Sequence, residues 1–257
     1  MARYKYIYIR FFLNINVKKE VEEVVMRNIL DLIFILFVVL IAVSNDAYAS
    51  EYLTINAKAN IFWSGKSAQS EDGISPTFIS FSSQTGQYCI FSNIKGDISA
   101  KKGELPYHDA DGGDNDSTNI LSYDGISGIV ASNRYLFFVG MFADDTEPTE
   151  PAPDRLEYTT YDFKEISPEL NQIFFIGDGL TGNGSGEVQK FNIPPKATRL
   201  FLGFADAYTF KGQPCCYYDN DGDINVTLEI VESPEEKDDD GGGGGSCFIK
   251  SLIKIKR

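Results

Sequence analysis

Two stretches of the sequence concentrate oxygen-bearing side chains that could hold a metal ion. One is HDADGGDND at 108–116, and the other combines Asp206 with DNDGD at 219–223. Calcium binds about six to eight oxygens from carboxylates, amides and main-chain carbonyls, and glycine lets a chain curl so that these oxygens converge. Runs of Asp, Asn and Gly also form ordinary polar turns, which is the commoner explanation for any single run. Both interpretations stay open on the residues alone.

Groups for nucleophilic catalysis are scarce. His108 is the only histidine, and the sequence contains no Walker loop, no GxGxxG and no HExxH pattern. Ser-His or Cys-His chemistry therefore has little to draw on. The many carboxylates leave a pair for glycoside hydrolysis open from counts alone, but we rank this third and predict that the protein is not an enzyme.

The charge balance excludes one class of partner. The chain has 23 basic and 37 acidic residues, which gives a net charge of −14. A protein that grips the phosphates of a nucleic acid needs a basic face. We therefore predict no nucleic-acid partner.

The elements that would position the acidic stretches are strands. Between 50 and 231, apolar residues recur with period two, and Gly, Asn, Asp and Pro separate the apolar runs. The segment 224–230 alternates cleanly, as expected for a strand with one buried and one wet face. Several short strands without intervening helices predict an all-β fold, a sandwich or a barrel. The predicted strands are 52–56, 76–82, 87–94, 134–142, 171–176, 187–193, 198–204 and 223–231.

Composition divides the chain into four segments. Residues 1–49 are predicted to be a signal-peptide region, and 50–231 the folded domain, which is long enough to bury a core. Residues 232–246 form an acidic and then glycine-rich linker, and 247–257 a short cysteine-containing tail. Glycine runs of this kind act as flexible tethers.

The leader has the layout of a secretory signal. An apolar run at 29–43 is followed by Ala47-x-Ala49, a small-residue cleavage pattern. Because Met26 stands just before this run, we predict it as the true start. The alternative is a membrane anchor, but the run is shorter than the roughly 20 residues that span a bilayer. The protein is therefore expected to be exported, to the extracellular space or the cell surface.

Four cysteines occur, Cys89, Cys215, Cys216 and Cys247. An exported protein can form disulfides, so Cys89 could pair with Cys215 or Cys216. A purely structural core position for Cys89 is an equally favoured interpretation. Adjacent cysteines rarely bond each other, so we do not expect a Cys215–Cys216 bridge. The spacing does not fit a structural zinc site.

The stretch 174–228, FFIGDGLTGNGSGEVQKFNIPPKATRLFLGFADAYTFKGQPCCYYDNDGDINVTL, resembles a family of exported bacterial proteins with C-terminal sorting signals. Within it, the part from 197 to 222 is similar to the calcium-dependent galactose-binding lectins of bacteria. This resemblance implies a jelly-roll-like antiparallel β-sandwich whose calcium bridges the protein and sugar hydroxyls. Further segments that fit the family are 56–67, 122–129, 137–142 and 170–182.

The lectin resemblance implies a set of calcium ligands. Asp206 matches a calcium-binding aspartate, and Asp219 and Asn220 match two consecutive asparagines whose side chains bind the ion. Cys216 stands where a main-chain carbonyl is a ligand. Ala100, after an upstream strand, is the candidate for a further carbonyl.

The sugar-contacting part of the resemblance is less complete. Six more residues separate Asp206 from Pro214 than in those lectins, and the lectin sugar loop corresponds only in position to 108–114. The predicted ligand-binding residues are His108, Asp109, Asp111 and Tyr217. Further aromatic candidates, each more commonly a core or rim residue when taken alone, are Tyr208, Phe210 and Tyr218.

The C-terminal tail GGGGGSCFIKS also resembles glycine-rich sorting tails of exported bacterial proteins, which implies processing or anchoring at Cys247. Its apolar part is too short and too charged to span a membrane, although it could lie on an anionic surface. A degenerate tail with a free thiol is the alternative. If the tail is a sorting signal, attachment to a membrane or cell envelope would run through it.

These observations predict an exported, calcium-dependent carbohydrate-binding module, displayed at the cell surface through its tail, with a galactose-like sugar as ligand. The alternative is a structural or adhesive surface protein in which calcium only staples loops. An oligomer would suit a lectin-like module, because several weak sites gain avidity when they are linked.

Overall fold

The computed structural model describes residue 27 and residues 50–67, 71–82 and 86–232. The chain divides into two compact units, 1–46 and 47–257, and every strand below belongs to the second. Arg27 is the one described residue of the first unit. The rest of the predicted signal-peptide region, with the predicted start at Met26, lies outside the described residues, and so does the cysteine-containing tail. In the part of the chain that is described, no helix is long and apolar enough to cross a membrane.

Strands dominate the described residues because their sequences are rich in β-branched and aromatic side chains, which fit a pleated surface. Three single 3-10 turns, Ile61–Trp63, Tyr208–Phe210 and Tyr217–Asp219, are the other regular elements of these ranges. The strands are β1 (Glu51–Asn56), β2 (Thr77–Ser80), β3 (Gln87–Ser99), β4 (Thr118–Ile120), β5 (Ile129–Ala131), β6 (Phe138–Ala143), β7 (Leu156–Tyr158), β8 (Glu165–Ile166), β9 (Ile173–Phe175), β10 (Leu180–Gly182), β11 (Ser185–Val188), β12 (Lys190–Asn192), β13 (Arg199–Phe204), β14 (Lys211–Gly212) and β15 (Asp221–Glu232).

The strands form three sheets and one hairpin. The largest sheet has the order β1-β15-β3-β12-β8, and the second has the order β2-β13-β6-β9. A third sheet, β14-β4-β5-β7, consists of strands of two or three residues, and β10 pairs with β11. The predicted all-β class is confirmed for the described residues.

The prediction of a purely antiparallel arrangement is wrong in part. Three pairings are parallel, β12 with β8, β14 with β4, and β5 with β7. Each of them joins strands of two or three residues. Strands this short are brought side by side by loops, so no helical crossover is needed between them.

The first two sheets share one hydrophobic core. In β15, Ile224, Val226 and Leu228 are fully buried and alternate with more exposed polar residues, as period two requires. Contacts between the sheets are aromatic: the rings of Phe91 and Phe138 lie 6.2 Å apart, and those of Phe174 and Phe191 lie 5.3 Å apart.

The paired strands bring several strand ends to one edge. β13 ends two residues before Asp206, and β15 begins directly after Asn220. In the antiparallel pairing of β15 with β3, Asp221 lies opposite Ser99, which places Ala100 beside the start of β15. A link between the sheets forms here, because the amide of Phe204 donates to the carbonyl of Ala59 at 2.9 Å. The predicted ligand residues therefore follow or precede strands that meet.

Candidate metal centre

Two buried polar side chains lie at the centre of this edge. Asp206 is 2% exposed and Asn220 is fully buried. Asp206 Oδ1 accepts a hydrogen bond from the amide of Ala207 at 2.8 Å, and the side chain of Asn220 also hydrogen-bonds the Asp206 carboxylate. Asn220 Nδ2 donates to the carbonyl of Ala57 at 3.1 Å. The structure thus joins two of the residues that the lectin resemblance selected.

The amide oxygen of Asn220, Oδ1, is one of several buried side-chain polar atoms without a hydrogen-bond partner among the described residues; Gln189 Oε1 is another. An unsatisfied polar atom in the interior costs about 1 to 3 kcal/mol, so such an atom calls for an explanation. A cation beside it would remove this cost, because amide oxygens are among the ligands of calcium.

The environment of Asp206 disfavours the charged form of its carboxyl group and raises its pKa. Burial, the largest cause, and the negative charges of Asp219 and Asp72 together raise the pKa of Asp206 from its ordinary value to about 8. Hydrogen bonds from Ala207 and Asn220 act in the opposite direction. A buried carboxylate without a cation is unfavourable. The centre therefore combines a carboxyl group whose charged form is disfavoured by burial with an amide oxygen that has no hydrogen-bond partner among the described residues.

Asp72 is a residue that the sequence interpretation missed. Its Oδ2 accepts from the amide of Cys216 at 2.7 Å, and its Oδ1 accepts from the amide of Tyr218 at 3.2 Å. Asp72 thereby fixes the turn that leads into Asn220 and adds a negative charge near Asp206. It lies in a polar loop of the sequence, so no local pattern distinguishes it from an ordinary loop aspartate.

The structure confirms one of the two alternatives for Cys89, a core position without a disulfide, and contradicts the expectation that Cys215 and Cys216 do not bond each other. Cys215 and Cys216 form a disulfide with each other, whereas Cys89 is free and buried in the core. Pairing of Cys89 is excluded because its partner sulfurs are occupied, and burial raises the pKa of its thiol far above the ordinary value. Cys216 adopts a left-handed conformation with φ 79°, a reversal that the residue-type pattern does not reveal.

The remaining predicted ligands lie on the flanks of the centre. Asp219 is half-buried and raises the pKa of Asp206 through its charge. The amide of Lys102 donates to the carbonyl of Asp219 at 2.7 Å, which ties the loop after Ala100 to this turn. Cys216 directly precedes the Tyr217–Asp219 turn, and its amide donates a hydrogen bond to the carboxylate of Asp72.

Side-chain charges alone do not complete a metal cage. Among the described residues, no group of three or more His, Cys, Asp or Glu side chains is arranged to hold a metal ion. A cation at Asp206 would need the amide oxygen of Asn220 and main-chain carbonyls as well. This donor set, which is all oxygen, fits calcium and does not fit zinc.

Tyr217 holds the main chain at Asp206 in place through its buried hydroxyl group. Its side chain is fully buried, its hydroxyl donates to the carbonyl of Phe204 at 3.1 Å, and it accepts from the amide of Asp206 at 2.9 Å. This position leaves no ring surface for a sugar. Tyr217 therefore fixes the main chain at Asp206, a different role from the ligand contact that we predicted.

The predicted sugar residues of the 108–116 run separate in the structure. His108 pairs with Ile98 of β3 in an isolated bridge, and its Nε2 lies 2.8 Å from the hydroxyl of Tyr135. Asp111 is buried, and its Oδ1 accepts from the amide of Asp178 at 2.9 Å. Asp109 lines a different cavity, of about 330 Å³, beside the β10–β11 hairpin.

His108 and Ala100 line a second cavity of about 350 Å³. Its walls include the rings of Tyr135 and Phe210, whose centroids lie 4.3 Å apart. The cavity lining includes Ala100, a candidate ligand of the centre, and Ser99, which lies opposite Asp221, the residue after Asn220. Volumes of this size are typical of small-molecule sites.

Comparisons of the chain with protein-family models, with curated proteins and with solved structures give no match. The lectin resemblance therefore remains a prediction from the sequence. The proposed function depends on the geometry of the centre and of the second cavity.

Proposed function

We propose that the protein is an exported, calcium-dependent carbohydrate-binding module. One observation carries the proposal: within the part of the chain that the structure describes, the buried Asn220 Oδ1 has no hydrogen-bond partner and lies near the buried carboxylate of Asp206. A calcium ion satisfies both groups at once, since it neutralises the carboxylate and accepts the amide oxygen as a ligand.

Calcium suits the setting of this centre. An exported protein meets calcium at high concentration, so a site of modest affinity is filled there. The ligand set would be Asp206, Asn220 and Asp219 with the carbonyls of Cys216 and Ala100. When bound, the ion would supply a charge with open coordination positions to which sugar hydroxyls can bind.

The fold is proposed to be a lectin-like, jelly-roll β-sandwich. The common core of the first two sheets supports this, because residues of β3 and β12 pack against residues of β6 and β9. Sugar recognition is supported by the second cavity, whose lining includes the candidate ligand Ala100 and combines aromatic with polar walls. Export, display through Cys247, oligomer formation and the absence of enzymatic activity stay predictions from the sequence.

Thermal melting against calcium tests the ion. We expect calcium at about a hundredfold excess over its dissociation constant to raise the melting temperature by roughly 5 °C or more relative to EDTA. Asn220→Leu should lose this response because it lacks the oxygen, while Asn220→Asp should keep it. Asp223→Asn, an exposed change three positions further along the chain, is the matched control and should respond as the wild type does.

A glycan array in calcium and in EDTA then separates the functions. Glycan binding in calcium alone supports the carbohydrate-binding module. A calcium response without any glycan binding would favour the structural or adhesive alternative, in which the ion is a staple. Absence of a calcium response in the wild type would contradict both.

A further inference from the structure

The loop between Asp206 and Pro214 builds one wall of the cavity that His108 and Ala100 line. We infer that this loop makes the cavity a binding site for a neutral pyranose, with Phe210 as the residue on which the apolar face of the sugar ring stacks. The inference rests on the proposed function, since it names the ligand class and a specificity residue for it. The loop is also where the chain departs from the lectins by its six extra residues.

The loop is held in place across the cavity. Lys211 Nζ forms an ion pair with Asp116 at 3.0 Å, and β14 continues the third sheet by pairing in parallel with β4. Both anchors follow directly after Phe210, so the ring position is fixed from its C-terminal side. A bond from the amide of Phe210 to the carbonyl of Ala207 fixes it from the other side.

The backbone at this position is strained. Thr209 has φ 52° and Phe210 has φ 59°, in the left-handed region that residues with a Cβ adopt at a cost. Strain of this kind persists only where the surroundings enforce it, and it concentrates at binding sites. At this strained position the Phe210 side chain lines the cavity and also packs in part against the core.

The aromatic wall is organised before any ligand binds. Phe210 lies 4.3 Å from Tyr135 with an interplanar angle of 33°. His108 meets Tyr135 edge-on at 5.4 Å and hydrogen-bonds its hydroxyl. Side chains fixed in this way lose little freedom on binding, which favours affinity. Leu105 and Pro106 provide apolar surface elsewhere in the lining.

The polar lining favours a neutral ligand. Asn115, Glu104 and Asp116 offer oxygens that can accept from sugar hydroxyls. Lys101, the one lysine in the cavity lining, is paired with Glu104 at 3.4 Å. An anionic sugar would therefore meet two carboxylates, Glu104 and Asp116, against the single ammonium group of Lys101, whereas a neutral pyranose meets hydrogen-bonding groups and a ring face.

Titration of the exported protein with methyl glycosides of galactose, glucose and mannose, followed by calorimetry and saturation-transfer NMR in calcium, tests the inference. We expect one neutral glycoside to bind, with the strongest saturation transfer to the ring hydrogens of a single face. A methyl glucuronide should bind at least tenfold more weakly. Phe210→Leu should weaken binding at least tenfold, whereas Phe210→Tyr should stay within about threefold of the wild type.

Tyr208→Ala is the matched control, because Tyr208 belongs to the same loop, is 76% exposed and does not line the cavity. It should leave affinity unchanged. The calcium-induced shift in melting temperature should persist in all three variants, which shows that the centre is intact. Loss of binding in Phe210→Leu alone supports the inference.

Several outcomes would overturn it. Unchanged affinity in Phe210→Leu, or loss of binding in Tyr208→Ala only, would remove Phe210 from the site. Absence of binding by every neutral glycoside, with the calcium response present, would show a cavity that does not take pyranoses. Binding that persists in EDTA and depends on Phe210 would keep the inference but contradict the calcium-dependent function.

Discussion

Asp111 illustrates how burial changes the chemistry of a single residue in this protein. Its side chain is almost fully buried and accepts a hydrogen bond from the amide of Asp178. Burial, the largest cause, and the charges of Asp178 and Asp109 raise the pKa of Asp111 to about 6, while the hydrogen bond from Asp178 and the charge of Arg134 act in the opposite direction. Asp111 is thus a buried acid in the structure, although the sequence pattern suggested a ligand contact.

Substitution of Asp111 by Asn should change how stability depends on pH. The folded pKa of about 6 lies above the ordinary value of 3.8, so the native state binds more protons than the unfolded state between these values. Wild-type stability therefore falls as pH rises from 4 to 6. Asp111→Asn does not titrate there and should gain about 2 kcal/mol on the wild type across this range.

Urea unfolding at pH 4 and pH 7 measures this difference. The exposed change Asp223→Asn serves as the reference and should show no comparable gain. A difference between Asp111→Asn and the wild type that is equal at both pH values would contradict the assigned role of the buried carboxyl.

At the same scale, the sequence predicted some site residues and missed others for a physical reason. Asp206 and Asn220 were found because short motifs at strand ends carry them. Asp72 was missed because only the tertiary fold brings its loop to the turn at Cys216. The Cys215–Cys216 bond was missed because it depends on a left-handed backbone at Cys216, which residue type does not predict.

At the scale of elements, the pairing of β3 with β15 sets the positions of the candidate ligands. Gly222 in β15 has φ 97°, and a Cβ there would meet the carbonyl oxygen of Asp97 at 2.0 Å. Gly222 lies two residues after Asn220, opposite Ile98 of β3. Only glycine allows the two backbones to approach this closely.

Gly222→Ala is therefore expected to shift β15 against β3, which would lower stability by roughly 3 kcal/mol and abolish the calcium response. The physical reason is a backbone clash added to an unfavourable φ. Gly184→Ala is the matched control, since φ is 66° but nothing lies within 4 Å of a Cβ there; it should cost about 1 kcal/mol. Melting temperatures with and without calcium measure both effects, and equal losses in the two variants would refute the clash.

Elements differ in how well the sequence predicts them. β15, a long strand with one wet face, was predicted because the alternation of apolar and polar residues is visible over several residues. β4, β5 and β7 were missed because three residues show no period. All six residues of β6 are buried. Its continuous apolar run therefore predicts a strand but does not indicate which strands pair with it.

At the scale of the whole molecule, the shared core makes the first two sheets one cooperative unit. Phe138 of β6 is fully buried and contacts Phe91 of the opposite sheet at 6.2 Å and Phe204 of its own sheet at 6.0 Å. Its truncation removes contacts on both sides of the core. Phe138→Ala is therefore expected to lower stability by about 3 to 5 kcal/mol.

Both sheets should unfold together in Phe138→Ala, because neither sheet can bury its apolar face without the other. Urea transitions followed by the fluorescence of Trp63, the only tryptophan, and by far-ultraviolet circular dichroism should coincide at a lower midpoint. Phe78→Ala is the control, since Phe78 is 57% exposed on β2, and it should cost less than about 1 kcal/mol. Two separated transitions in the Phe138 variant would show that the sheets are independent units, and the proposed sandwich would then fail as a description of the fold.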